Sequence, residues 1–144
     1  MTSVDFYILP DNSQAASDYR HFACRLAEKA MNLGHRVYIH VDDSNEAARL
    51  DTLLWTFRDE SFVAHQMATD NDIDSPVVIG WQDSLADAIK PDLLINLGQS
   101  IPQFHTQFER IAEIVSEPEQ RRQQIRQHYS YYKKNGLSLD THQL

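Results

Sequence analysis

Short apolar runs, separated by stretches of helical period, most tightly limit what this 144-residue chain can fold into. Val4 to Leu9 is apolar at five of six positions and ends in Pro10-Asp11-Asn12-Ser13, a turn sequence. Arg36 to Val41, Val77 to Ile79 and Asp92 to Leu97 have the same character. Runs so continuous suit strands covered on both faces, as in a parallel sheet whose crossovers are helices. Ile111 to Val115 fits either a fifth strand or part of a helix, because periodicity does not decide so short a run.

Between the runs, the spacing predicts a helix from about Ala15 to Leu33, with Phe22, Leu26, Ala30 and Leu33 on one face and Gly34 as its stop. Asp43 and Glu46 form a D-x-x-E cap that opens a second helix reaching about Phe57. Residues 58–75 are irregular and include an acidic loop at Asp70, Asp72 and Asp74; Phe104 and Phe108 fit a short helix after Pro102. A last helix runs from about Pro118 to the stop at Asn135-Gly136. The expected class is α/β: one domain, Rossmann-like, with an open sheet of about five mostly parallel strands and helices on both faces. A chain of this length buries about 70% of the surface its unfolded form exposes, enough for a core without staples. The lone Cys24 excludes an internal disulfide.

The order strand, turn, helix, strand, then Asp42-Asp43 invites a dinucleotide site, in which an acid after the second strand holds a ribose hydroxyl. The first turn, however, has no glycine, and Asp11 would repel a pyrophosphate. The glycines stand at 34, 80, 98 and 136, so neither a G-x-G-x-x-G loop nor a P-loop can be written. Capping is the better account of Asp43. His21 and Cys24 are half of a zinc site with no second pair, and Asp70, Asp72 and Asp74 lack the glycine and glutamate of a calcium loop. There is no G-x-S-x-G elbow. No catalytic residue, metal or cofactor is expected.

Charge separates the chain into two parts. Thirteen basic and 21 acidic side chains give a formal net charge of -8. Residues 117–144 carry +2 and the remaining 116 carry -10. Binding a phosphate backbone draws on Lys and Arg, so the acidic body is a poor DNA partner. With no basic leader, no apolar run long enough to span a bilayer and one cysteine, the expected location is the cytoplasm, without a membrane partner.

Two surfaces stand out. On the second helix, with about 100° per residue, Leu50, Leu53, Leu54 and Phe57 share one face while Trp55 points about 150° away from it. Two accounts fit Trp55: a partner site, since Trp is enriched at interface hot spots, or burial under residues 58–65 with Phe62 and Val63. On the last helix, Arg122, Arg126, Tyr129 and Lys133 fall within an arc of about 60°, bordered by Ile125 and Tyr132. Its complement is a short peptide with carboxylates and an apolar or aromatic end. A merely solvated basic face also fits.

Ordered blocks along nearly the whole chain carry a resemblance. They are Val4-Asp5-Phe6-Tyr7-Ile8-Leu9, Arg49-Leu50-Asp51-Thr52-Leu53-Leu54-Trp55, Glu60-Ser61-Phe62-Val63-Ala64-His65, Asp92-Leu93-Leu94-Ile95-Asn96-Leu97, and Arg126-Gln127-His128-Tyr129-Ser130-Tyr131-Tyr132 through Gly136-Leu137. With these the chain resembles the chi subunit family of bacterial DNA polymerase III. The resemblance implies a nucleotide-binding-like fold without a nucleotide site and a non-catalytic role in DNA replication. It implies a psi subunit as partner, linking chi to the clamp loader, and the acidic, apolar-ended C-terminal tail of single-stranded DNA-binding protein as another. DNA itself would be met only indirectly. The tail site falls on Arg122, Arg126 and Tyr129; Ser130 departs from a position that can be basic, and Lys133 offers compensation. Trp55 and Phe62 match positions implicated in contact with psi, which some chi proteins also use for an accessory helicase. Two other classes stay open on the residues alone: a small nucleotide-using α/β enzyme, and a structural protein that buries Trp55 by self-association.

Overall fold

Strands joined by helices or by irregular segments make up the computed structural model, which describes residues 2–10, 19–57, 62–70, 72–90, 92–116 and 119–144. The elements are β1 (Ser3–Ile8), α1 (Tyr19–Asn32), β2 (Val37–His40), α2 (Ser44–Thr56), β3 (His65–Met67), β4 (Val77–Gly80) and β5 (Leu93–Asn96). A 3₁₀ turn (Gln103–Gln107), β6 (Arg110–Val115), α3 (Glu119–Lys134) and β7 (Ser138–Gln143) complete the series. The strands form one sheet in the order β3-β4-β2-β5-β6-β1-β7. Every pairing is parallel.

The open parallel α/β sheet agrees with the sequence, but it has seven strands rather than five. Ile111 to Val115 is a strand, and it lies between β5 and β1. The two unexpected strands are the sheet edges. β3 is three residues long, and β7 reads Ser-Leu-Asp-Thr-His-Gln with nearly every residue exposed. An exposed edge strand needs no apolar run, so neither left a hydrophobic trace in the sequence. The turn residues Asp11, Asn12 and Ser13, the first turn expected at Ala15, Arg58-Asp59-Glu60-Ser61 and Pro118 lie outside the described residues.

Alternating side chains place two cores on the two faces. On one face α1 and α2 cover Val37, Ile39, Val77, Ile79, Ile95, Ala112 and Ile114. On the other, Ile125 and Tyr132 of α3, with Phe104, Phe108 and Ile89, cover Val4, Phe6, Tyr38, Val78, Leu94 and Ile111.

The face of α1 that meets the sheet differs from the expected stripe. Ala23, Cys24, Ala27 and Ala30 are buried, whereas Phe22 and Leu26 are half-buried and Leu33 is 69% exposed. Small side chains let the helix axis approach the strands, which displaces the large ones to its flank. There Phe22, Leu26 and Leu33 line a groove of about 540 Å³ with Tyr7 and Leu93. His21 is likewise half-buried, its ring 6.0 Å from that of Phe57. The cap on α2 is as expected: the Asp43 carboxylate accepts from the Glu46 N–H at 2.9 Å. Glu46 does not reach back; it accepts from Arg20 of α1 at 3.0 and 3.1 Å. Gly34 and Gly136 stop their helices with φ of +89° and +78°, a conformation that favours glycine.

Candidate functional site

α3 carries the basic stripe because its two long faces have different tasks. Arg121, Ile125, His128 and Tyr132 recur at spacings of three and four and are buried. That fixes the rotation of the helix and leaves Arg126 and Lys133 exposed, with Tyr129 at 39% exposure. The Arg126 side chain is 70% exposed and that of Arg122 is 24% exposed. Ile125 and Tyr132 do not border the stripe; they lie in the core beneath it. The stripe's own ring, Tyr129, packs 5.2 Å from Phe6 of β1, which in turn meets Tyr132 at 6.1 Å.

Glu119, which the sequence reading did not place in the stripe, lies among these cations. Its carboxylate accepts from Arg126 Nη1 at 3.3 Å and lies 3.8 Å from Arg122 Nη1. The signal was legible as an acid three and seven residues before the two arginines. Arg121, counted with the basic tail, is turned inward and only 7% exposed. Its guanidinium lies 3.7 Å from the Tyr19 ring centroid, and burial lowers its pKa.

A buried polar network locks this helix to the sheet, and the sequence reading missed it. Glu113 of β6 is fully buried. It accepts from the Tyr132 hydroxyl at 2.6 Å and from Asn96 Nδ2 at 3.0 Å, and its other oxygen lies 3.0 Å from His128 Nδ1. His128 Nε2 donates to the Gln99 carbonyl at 2.7 Å. Burial alone would lower the pKa of His128, but the hydrogen bond and charge of Glu113, with the Gln99 carbonyl, raise it. Burial, then the charge of Glu113, raises that of Tyr132. Asn96, Glu113 and His40, whose pKa burial lowers, stand at or near the carboxyl ends of central strands. In an open α/β sheet that end is where ligands are commonly bound; here α3 covers it with His128.

The second surface lies on the opposite face of the sheet. Trp55 at the end of α2 is 55% exposed and Phe62 is 67% exposed, with ring centroids 5.7 Å apart. Of the segment 58–65 that could bury Trp55, residues 58–61 lie outside the described ones, and Phe62 meets the indole but leaves it 55% exposed. His65 fixes the geometry from below, its side chain 1% exposed and its ring 4.9 Å from the indole. Its Nε2 lies 2.8 Å from the Asp51 carboxylate and its Nδ1 donates to the Val63 carbonyl at 2.6 Å.

Among the described residues, no cluster of three or more His, Cys, Asp or Glu side chains suits a metal ion. No described helix is long and apolar enough to cross a membrane.

Residues 1–140 match the family model described as DNA polymerase III chi subunit, HolC. The DNA polymerase III subunit chi of Pseudomonas aeruginosa is 40% identical over 144 residues, covering 100% of this chain and 98% of its own. That of Escherichia coli is 31% identical over 144 residues (98% and 97%), and that of Haemophilus influenzae 29% over 140 residues (96% and 95%). With its sheet, its ordered sequence blocks and a family match across nearly its whole length, the chain belongs to the DNA polymerase III chi subunit family.

Proposed function

We propose that the protein is a non-catalytic, cytoplasmic adapter of the replicative polymerase assembly, joining a psi subunit on one face to the acidic tail of single-stranded DNA-binding protein on the other. The observation that carries this is the outward face of α3: arginines able to hold a carboxylate beside a half-exposed tyrosine ring, on a protein of net charge -8. Such a face complements an acidic peptide that ends in an apolar residue. Arginine forks take the carboxylates, and the Tyr129–Phe6 pair offers ring surface to the chain end. The acidic body, at -10 outside residues 117–144, discourages direct contact with DNA, so DNA is met through the protein that coats it. Trp55 and Phe62 supply the apolar anchor for psi, in the manner of interface hot spots.

Charge-assisted hydrogen bonds contribute about 1.5–3 kcal/mol each, and a micromolar complex corresponds to about 8 kcal/mol after ordering costs. A few such bonds therefore give binding that is weak and sensitive to salt. The test is a titration of the tail peptide into wild type and Arg126→Ala at low and high salt. Wild type should bind more tightly, by about tenfold at low salt, with the gap narrowing as salt rises. Equal affinity of the two proteins at low salt would remove the stripe as the tail site.

A further inference from the structure

We propose that Glu119 is a built-in competitor for the carboxylate position of the stripe, so that an acidic chain end binds by displacing it; this rests on the tail-binding function proposed above. The geometry is that of a carboxylate already seated, 3.3 Å from Arg126 Nη1 and 3.8 Å from Arg122 Nη1. Glu119 opens α3, where the helix dipole also favours a negative charge, so two effects hold it in place. Neither is strong. The Glu119 side chain is 57% exposed and that of Arg126 is 70% exposed, so the pair is solvated and its displacement is cheap.

A tethered acid nonetheless acts at a local concentration of about millimolar or more, which a dilute free anion cannot match. A phosphate ion, or an aspartate run without an apolar end, offers the arginines only what Glu119 already provides. A chain end that also places an aromatic ring against Tyr129 and Phe6 gains a second contact for which Glu119 has no counterpart. Glu119 thus lowers the affinity of every carboxylate that takes its place, and the ring contact keeps an apolar-ended chain bound at concentrations where a plain polyanion is released.

The experiment follows binding of a labelled aspartate peptide closed by a C-terminal phenylalanine, by fluorescence anisotropy at low salt. Glu119→Gln should tighten binding by about two- to fivefold, the range an exposed ion pair supports. Glu109→Gln removes an equal charge from an exposed position just before β6, at the opposite end of that strand from Glu119, and should change little. In an Arg126→Ala background the gain from Glu119→Gln should shrink, because the nearer of the two guanidiniums that Glu119 occupies is gone and only Arg122 remains. An aspartate peptide without the phenylalanine displaces the same carboxylate and should gain by a similar factor from Glu119→Gln. No gain in Glu119→Gln, an equal gain in Glu109→Gln, or a gain undiminished without Arg126 would each overturn the competitor while leaving the stripe intact. Wild type and Arg126→Ala binding alike would instead overturn the stripe, and the competitor with it.

Discussion

Replacing His128 by leucine tests whether the buried network, and not apolar packing alone, holds the stripe helix on the sheet. Glu113 is fully buried and bonded to His128, Tyr132 and Asn96. Deleting the imidazole leaves its carboxylate in the core with two neutral donors. Breaking a buried charge pair by removing one partner typically costs about 3–5 kcal/mol. The Tyr132 hydroxyl at 2.6 Å and the Asn96 amide at 3.0 Å remain, so the lower end, about 3 kcal/mol, is expected. Against a total stability of about 5–15 kcal/mol the variant still folds. In urea, where small proteins lose about 1–3 kcal/mol per molar, its midpoint should fall by about 1–3 M. The double variant Glu113→Gln, His128→Leu removes the stranded charge and should be more stable than His128→Leu alone. The pH dependence supplies a second measurement. The folded pKa of His128 is raised, so its contribution is complete below the unfolded value of about 6.5 and is lost as pH rises through the folded value. Wild type should therefore lose stability on that upward side, and His128→Leu should show a flatter profile there. The groups facing the ring are Glu113 and the Gln99 carbonyl, with Arg121 on the same helix opposing its charge. A His128→Leu midpoint equal to wild type, or a double variant less stable than the single, would refute the reasoning.

Two further outcomes follow from the same structure. Trp55→Ala should reduce co-purification with psi, by about 30-fold in affinity for a hot-spot residue, while changing stability by less than about 1 kcal/mol because the indole is 55% exposed; unaltered psi binding would leave Trp55 without a role in that interface. Gly80→Ala should destabilise by about 1–3 kcal/mol in urea unfolding, since the added methyl would collide with the buried Tyr38 phenol, whose ring carbon Cζ alone would lie 2.6 Å away; an unchanged midpoint would show that Tyr38 can move aside.

What could be read from the sequence was whatever burial writes as a continuous pattern. β1, β2, β4 and β5 are buried on both faces and so appear as apolar runs, and the Asp43 cap and the stops at Gly34 and Gly136 are local chemistry. The edges β3 and β7 are set by pairing to β4 and β1 instead, which no local pattern records. On α1, hydrophobicity pointed to Phe22, Leu26, Ala30 and Leu33; Ala30 is buried as expected, but closeness of approach set Ala23, Cys24 and Ala27 beside it in place of the large side chains. On α3 the angles of Arg122, Arg126, Tyr129 and Lys133 followed from helical geometry alone. Glu113 was opaque for the opposite reason: a glutamate in an apolar strand looks like a solvent-facing residue until Tyr132 and His128 supply its donors from a helix further along the chain.

The two faces of α3 are therefore one device. Only Ile125 and Tyr132 on its buried side are apolar, too few for hydrophobic area alone to fix a sixteen-residue helix in rotation. Hydrogen bonds are directional where apolar contact is not, and His128 can reach Glu113 at 3.0 Å and the Gln99 carbonyl at 2.7 Å together only in a narrow range of helix rotation. Arg126 and Tyr129 lie two residues before and one residue after His128, so the same rotation fixes their outward directions. A slip of one residue would turn the helix by about 100° and carry Tyr129 away from Phe6, with Arg126 turned by the same angle. The buried network thus acts as register for the exposed stripe, and loosening His128 should weaken capture of an acidic peptide even though His128 itself does not touch it.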